Sequence, residues 1–428
     1  MLKNSKLGLI FFWSIIGVFS CILVSCSNHS LPEKPELQFW TMQLQPDFTI
    51  YFNRLITKFE QNNSDIKVKW VDIPWDAMES KILSSVSSNT APDVVNLNPN
   101  FASLLASRGA WLDLNAHLSL STIQQYLPKI WQANSLNQVT FGVPWYLTTD
   151  ILFYNTEILS KAGLDQPPAN YMELATVAKK IKEKTGKYAF FMTFLPGDSN
   201  EVLESLVQMG VQLFDSEGKS AFDSPEGIAA FKYWVDLYQG GILPPEVLTQ
   251  GHREAVALYQ SGQLAMLSTG AEFFKSIITN SPNIARITQS APAITGKNGK
   301  RGVAIMNLVI PQDSKQISAA VKFALFVTNS QNQVEFAQAA NVLPSTIEGL
   351  KQYEKALNTQ KNNSGLARAR QVSTQQLQSA EVLIPPRRGG DQLQKIIYEN
   401  LQAAMLGEKT IESALKEAAQ QWDLLVPN

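Results

Sequence analysis

The chain has few of the residues on which most catalytic chemistry depends. Only two of its 428 residues are cysteine, Cys21 and Cys26, and both lie in the first 26 positions. The body after them has no thiol, which excludes disulfides, a thiolate nucleophile and any cysteine-based metal centre there. Histidine is also scarce. His29, His117 and His252 are the three, and no HExxH pair occurs, so zinc hydrolysis is not expected. Lys and Arg number 36 against 37 Asp and Glu, a formal net charge of −1 that gives no electrostatic footprint for nucleic acid. No GxSxG elbow, P-loop or dinucleotide fingerprint appears. Neither a cofactor nor a metal is expected.

The opening stretch, in contrast, is rich in information. Lys3 and Lys6 supply positive charge, Leu7 to Val24 carries none, and a small-residue site, Leu23-Val24-Ser25-Cys26, follows. That is the order of a secretory signal. The site resembles a bacterial lipobox, which implies cleavage before Cys26 and lipidation of its sulfur. Cys21 offers a poorer site, because bulky Phe19 sits inside it and apolar chain continues behind it. The alternative is an uncleaved anchor, since the apolar run is near the lower limit of roughly 17–25 residues that span a bilayer. Residues 1–25 are read as the signal. Residues 26–35, polar and containing Pro32 and Pro35, are read as a tether. Either way the body faces outward.

The remaining length and the 45% hydrophobic content suffice for one very large or two ordinary domains. Leu37–Thr41 reads as a buried strand, and Phe48, Tyr51, Phe52, Leu55, Ile56 and Phe59 mark one face of a helix. Ile66, Val68 and Trp70 alternate as a strand, residues 75–86 form a second amphipathic helix, and Asp93–Leu97 is another buried strand before a third helix. This order predicts a mostly parallel sheet with helices on both faces. The pattern restarts at Asp150–Tyr154, with a strand expected over Tyr188–Phe194, a long helix over Pro225–Gln239, and helices over Asp391–Leu406 and Ile411–Leu424. Residues 359–364 read as a loop. Two α/β units with a helical tail are predicted.

Several segments together resemble the extracellular solute-binding proteins of carbohydrate ABC importers. They include Ala91-Pro92-Asp93-Val94-Val95, Arg108-Gly109-Ala110-Trp111-Leu112-Asp113-Leu114 and Gly142-Val143-Pro144-Trp145. Further matches are Phe153-Tyr154-Asn155, Phe222-Asp223-Ser224-Pro225-Glu226-Gly227, Ser261-Gly262-Gln263-Leu264-Ala265-Met266, Asn341-Val342-Leu343-Pro344 and Ala404-Met405-Leu406-Gly407. The resemblance implies a two-lobed type II periplasmic-binding fold, an α/β architecture whose lobes close on ligand by a hinge. It places an N-terminal lobe at 36–148 plus 304–346 and a C-terminal lobe at 149–303 plus 347–428. It also implies a monomer with no catalysis, a carbohydrate ligand, ABC permease subunits as partners, and a lipid-anchored place outside the cytoplasm.

Sugars need amides or carboxylates that pair their hydroxyls and aromatic faces that cover their C–H faces. A site built for hydroxyls rejects ligands that leave its polar groups unpaired. Candidates at strand ends are Trp40 and Gln43 after the first strand, Trp75 after the second and Asn98 after the third. Trp145 and Asp150 lie in the segment that resembles the interlobe crossover, Phe194 ends a strand of the second lobe, and Asn307 lies in the return crossover. Relatives often carry Gly-Pro-Trp or Gly-Ser-Trp where this chain has Gly270-Ala271-Glu272-Phe273-Phe274. Glu272 would there pair hydroxyls or a cationic group, with Phe273 as a local ring. Arg388, if it reached the ligand, would suit an acidic or phosphorylated sugar. Two other readings stand beside capture of a sugar. One is a surface-anchored glycoside hydrolase using two carboxylates, and the other is the same fold binding a glycerophosphate compound or a cationic solute.

Overall fold

The computed structural model describes residues 36–359 and 364–426. The signal, the tether, Cys26 and the middle of the expected 359–364 loop lie outside the described residues. Among those described, no helix is long and apolar enough to cross a membrane.

The first lobe starts as the apolar pattern predicts. Strands β1 (Glu36–Met42), β2 (Lys67–Ile73) and β3 (Val94–Leu97) are each followed by a helix, Thr49–Asn62, Trp75–Ser87 and Pro99–Ala106. β1 pairs in parallel with β2, from Glu36 opposite Lys67 to Met42 opposite Ile73, and in parallel with β3 on its other side. The first helix buries Tyr51, Phe52, Leu55 and Phe59, the stripe its spacing indicates.

The expectation of a mostly parallel sheet fails beyond these three strands. β4 (Val143–Thr148), β8 (Ala304–Val309) and β9 (Leu343–Pro344) complete a six-stranded sheet in the order β9-β4-β8-β3-β1-β2. β8 runs antiparallel to both β3 and β4, and β9 runs antiparallel to β4. A strand–helix–strand crossover forces parallel pairing. β4 and β8 instead carry the chain out to the second lobe and back, so no crossover helix fixes their direction. The second lobe holds a smaller antiparallel sheet in which β5 (Ile151–Asn155) lies between β6 (Met266–Thr269) and β7 (Thr288–Pro292). Tyr188–Phe194, expected as a strand, joins that sheet only at its start. The Tyr188–Leu264 bridge and amide bonds from Ala265 and Met266 make the link.

Two apolar cores, one in each lobe, fit the two-lobed description. One gathers Phe39, Phe52, Trp145, Leu308, Phe323 and Phe336. The other gathers Phe153, Phe194, Trp234, Tyr259, Tyr398 and Trp422. A smaller third lies in the first lobe around Trp40, Met42 and Val95. Tyr353, in helix Ile347–Thr359, still packs in the first core. Helix Gly365–Leu377 then gives Ala369 to the second core and Leu377 to the first. It also clamps the crossover, with Ser373 Oγ 2.9 Å from Thr149 Oγ1 and Gln376 Nε2 donating to the Asp150 carbonyl at 2.6 Å. Helices 347–359 and 365–377 escape a reading of the sequence because polar residues dilute their apolar stripes. β7, of sequence TQSAP, has no apolar alternation at all.

Candidate functional site

Parallel strands deliver ligand groups at their carboxyl ends, and the ends of β1 and β2 meet where the two lobes approach. After β1 the chain turns through Gln43, whose φ of 52° is unusual for a residue with a side chain. Asp72 holds that turn, accepting from Thr41 Oγ1 at 2.6 Å and from the amides of Leu44 and Gln45 at 2.9 Å each. Gln43 is exposed, and its Oε1 accepts from the Trp75 backbone amide at 3.3 Å. Trp75 leaves 39% of its surface exposed, more than any other tryptophan among the described residues with a stated exposure. Next to it, Asp76 reaches Arg253 of the second lobe at 3.6 Å, and Asp47 reaches Lys275 at 3.7 Å. These pairs are exposed and screened, so they mark where the lobes touch rather than hold them together.

The facing wall comes from the second lobe and the crossover. Asp150 sits between β4 and β5, half-buried. Burial, and then the charge of Glu201, push its carboxyl up to about 6, while His252 pulls it down. Glu272 lies in a short 3-10 turn after β6, folded back so closely that a Cβ on Gly270 would stand 2.1 Å from its Oε2. Burial raises its carboxyl to about 7 against its own backbone amide, with Asp150 raising it further and His252 lowering it. Glu204 lies over Gly302 and is pushed to about 8 by burial, then by Asp150 and Glu201. Tyr146 links the two walls. Burial lifts its hydroxyl pKa, and Glu272 from one lobe and Asp72 from the other add to the rise.

Of the residues singled out from the sequence, Gln43, Trp75, Asp150, Glu272 and Phe273 surround this interlobe region. Five others do not. Trp145 has no exposed surface. It packs in the first core, stacked on Phe336 at 4.9 Å, while Tyr146 beside it keeps some exposed surface and meets the same Phe336 ring at 5.2 Å. Trp40 is buried among Met42, Ile82 and Val95, with Lys81 Nζ over its ring. Phe194 is buried edge-on to Trp234 in the second core. Asn307 is fully buried where the pairing of β8 with β4 skips Trp145, packed against Gly142, its amide donating to the Ile305 carbonyl. Asn98 caps helix Pro99–Ala106, its Oδ1 accepting from the Phe101 amide at 2.9 Å. Arg388 is exposed in the loop before helix Gly390–Met405, and no contact with the cleft residues is seen; its neighbour Arg387 stacks on Phe214 at 3.3 Å.

Reading the sequence missed His252, Glu201 and Tyr146. Tyr146 adjoins Trp145, and the irregular pairing of β4 there hides which of the two reaches the lobe boundary. Glu201 and His252 are far apart in the chain and meet only through the fold.

A family model described as bacterial extracellular solute-binding protein matches residues 45–334. A candidate oligosaccharide periplasmic-binding protein from Synechococcus sp. MITs9220 is 43% identical, with 91% of this chain and 98% of that one covered and a TM-score of 0.87. That protein has also been solved in complex with zinc. An arabinooligosaccharide-binding protein from Halalkalibacterium halodurans is 25% identical over 268 residues, 60% of this chain and 59% of the relative. A solute-binding protein from Thermotoga lettingae, solved with α-D-tagatose, shares the fold at 24% identity and a TM-score of 0.78, covering 92% of this chain and all of that one.

Proposed function

This chain belongs to the bacterial extracellular solute-binding proteins, and from that premise we propose that it captures a carbohydrate between its lobes and delivers it to an ABC permease. The family binds solutes and is not one of enzymes, so two carboxylates in the cleft do not make a glycoside hydrolase. One observation carries the sugar reading: half-buried Asp150 and Glu272 lie on one side of the lobe boundary, and half-exposed Trp75 with the side-chain amide of Gln43 lies on the other, next to the Asp76–Arg253 and Asp47–Lys275 pairs that cross it. Carboxylates and an amide pair hydroxyls, and the indole covers a C–H face. The proposed contacts are Gln43, Trp75, Tyr146, Asp150, Glu272 and Phe273. Relatives named for oligosaccharides support the same class.

The acidic wall opposes a glycerophosphate, and Arg388 gives it no counter-charge there. The same wall favours a cationic solute as the second reading. Zinc is not carried over from the Synechococcus complex. Among the described residues no group of three His, Cys, Asp or Glu stands close enough together to hold a metal ion.

Thermal unfolding against a panel of neutral mono- and oligosaccharides tests the proposal. A ligand present at a hundredfold its dissociation constant adds about 2.7 kcal/mol. A panel that leaves the melting temperature unmoved, while ammonium-bearing solutes raise it, would favour the second reading.

The family works outside the cytoplasm. We place this member there as a monomer held by a lipid on Cys26, with the signal pattern of residues 1–26 as support. Stable anchoring takes more than one acyl chain, which a diacylglyceryl cysteine provides. Cys26→Ser is expected to move the protein from the membrane fraction to the soluble one. Retention of the variant in the membrane would point to the uncleaved anchor instead.

A further inference from the structure

The acids of the cleft gather round a single imidazole. His252 opens helix His252–Gln260, and its backbone amide donates to Asp198 Oδ2 at 2.9 Å. Nδ1 stands 3.4 Å from Glu201 Oε1, and Nε2 stands 3.1 Å from Thr269 Oγ1. Phe273 meets the ring at 5.5 Å, nearly perpendicular, so the imidazole is fixed on three sides. A hydroxyl accepts as readily as it donates. The set therefore accommodates the doubly protonated ring, with one N–H toward a carboxylate and the other toward Thr269.

The neighbours place this cation in the cleft. Thr269 pairs with Ile151, the residue after Asp150, and Phe273 follows Glu272. Arg253, next in sequence, turns away to Asp76. Burial disfavours the imidazolium, but the hydrogen bond and charge of Glu201, with the charges of Asp150 and Asp198, outweigh it and raise the ring's pKa. Its charge in turn draws Asp150 and Glu272 toward ionisation. Glu204 completes the set through its repulsion with Asp150 and Glu201.

We propose that His252 is a specificity-determining residue of the cleft. Its Nδ1 faces the Glu201 carboxylate at 3.4 Å, an arrangement that favours the charged ring, and the imidazole occupies the place that a positively charged group of a ligand would otherwise take. Discrimination needs an element that repels the wrong ligand as well as contacts that hold the right one. Here the imidazolium keeps the acids available to hydroxyls and excludes the ammonium analogue of a sugar. This deepens the carbohydrate reading and rests on it.

The test is calorimetric titration of a neutral sugar that stabilises the protein and of its 2-amino-2-deoxy analogue, at neutral pH. The proteins compared are the wild type, His252→Gln and His252→Lys. The wild type is expected to prefer the neutral sugar by about tenfold or more, the size of one close like-charge contact. His252→Gln loses that preference, and His252→Lys keeps it. NMR titration of the unliganded protein supplies a readout independent of any sugar. The imidazole signal missing from His252→Gln is expected to titrate above the ordinary value of about 6.5 and to fall by about one unit in Glu201→Gln. A midpoint at or below the ordinary value, or unchanged preference in His252→Gln, overturns the proposal alone. A wild type that binds no neutral sugar overturns the carbohydrate reading and this specificity with it.

Discussion

Trp145→Ala is expected to destabilise the protein by about 3–5 kcal/mol, the usual cost of truncating a buried tryptophan. The ring has no exposed surface, stacks on Phe336 at 4.9 Å and 24°, and touches Phe39, Phe52 and Tyr146. Removing it leaves a void that β4 and helix Ser330–Ala340 cannot fill without giving up other contacts. Ligand affinity, measured where the variant remains folded, should change little. Trp75→Ala gives the opposite result. A ring that is 39% exposed at the start of a helix contributes little to folding, so stability should stay within about 0.5 kcal/mol. Sugar affinity should fall by about tenfold or more, since a stacking face is worth roughly 1–3 kcal/mol. Chemical denaturation and calorimetry on the two variants check the pair. A stable Trp145→Ala that loses ligand would return Trp145 to the binding surface.

The second large effect is on stability against pH. Asp150 rises from 3.8 to about 6, Glu272 from 4.5 to about 7 and Glu204 from 4.5 to about 8 on folding. Each holds its proton in the folded state over a range where the unfolded chain has already lost it. The folded state therefore binds more protons between about pH 4 and pH 8, and stability falls as the pH climbs through that window. His252, whose pKa is also raised, acts in the same direction. One unit is worth about 1.4 kcal/mol, and because the acids repel one another and are partly solvated the shifts do not simply add. A loss on the order of 3 kcal/mol from pH 5 to pH 8 is expected. Glu204→Gln, which removes the highest of the three, should recover part of that loss at pH 8 and change little at pH 5. Equal stability at the two pH values would mean that the acids are solvated in the folded protein.

These two predictions separate what was legible in the sequence from what was not. The helix Pro225–Gln239 was readable to the residue. Ser224 caps it, proline occupies its first turn, and Phe231, Trp234 and Val235 are buried on one face. The Asn98-Pro99 pair carries the same kind of start signal, and Asn98 caps the helix that follows. Trp145 and Tyr146 could not be told apart in this way. Both rings reach Phe336, at 4.9 and 5.2 Å, and the shifted register of β4 against β8 at this point breaks the simple alternation of faces. Glu201 and His252 lie further still from what a linear pattern can show, because no spacing rule joins two residues brought together by packing of helices from separate parts of a lobe. Asp150 and Glu272 are legible as candidates because they sit at strand ends, where α/β folds place ligand groups.

The measurement that bears most directly on capture is native mass spectrometry of the protein purified from its own envelope. The account predicts a single added mass per chain, released on denaturation and identified as an intact, uncharged carbohydrate. A released phosphate ester, or sugar fragments in place of an intact molecule, would contradict it.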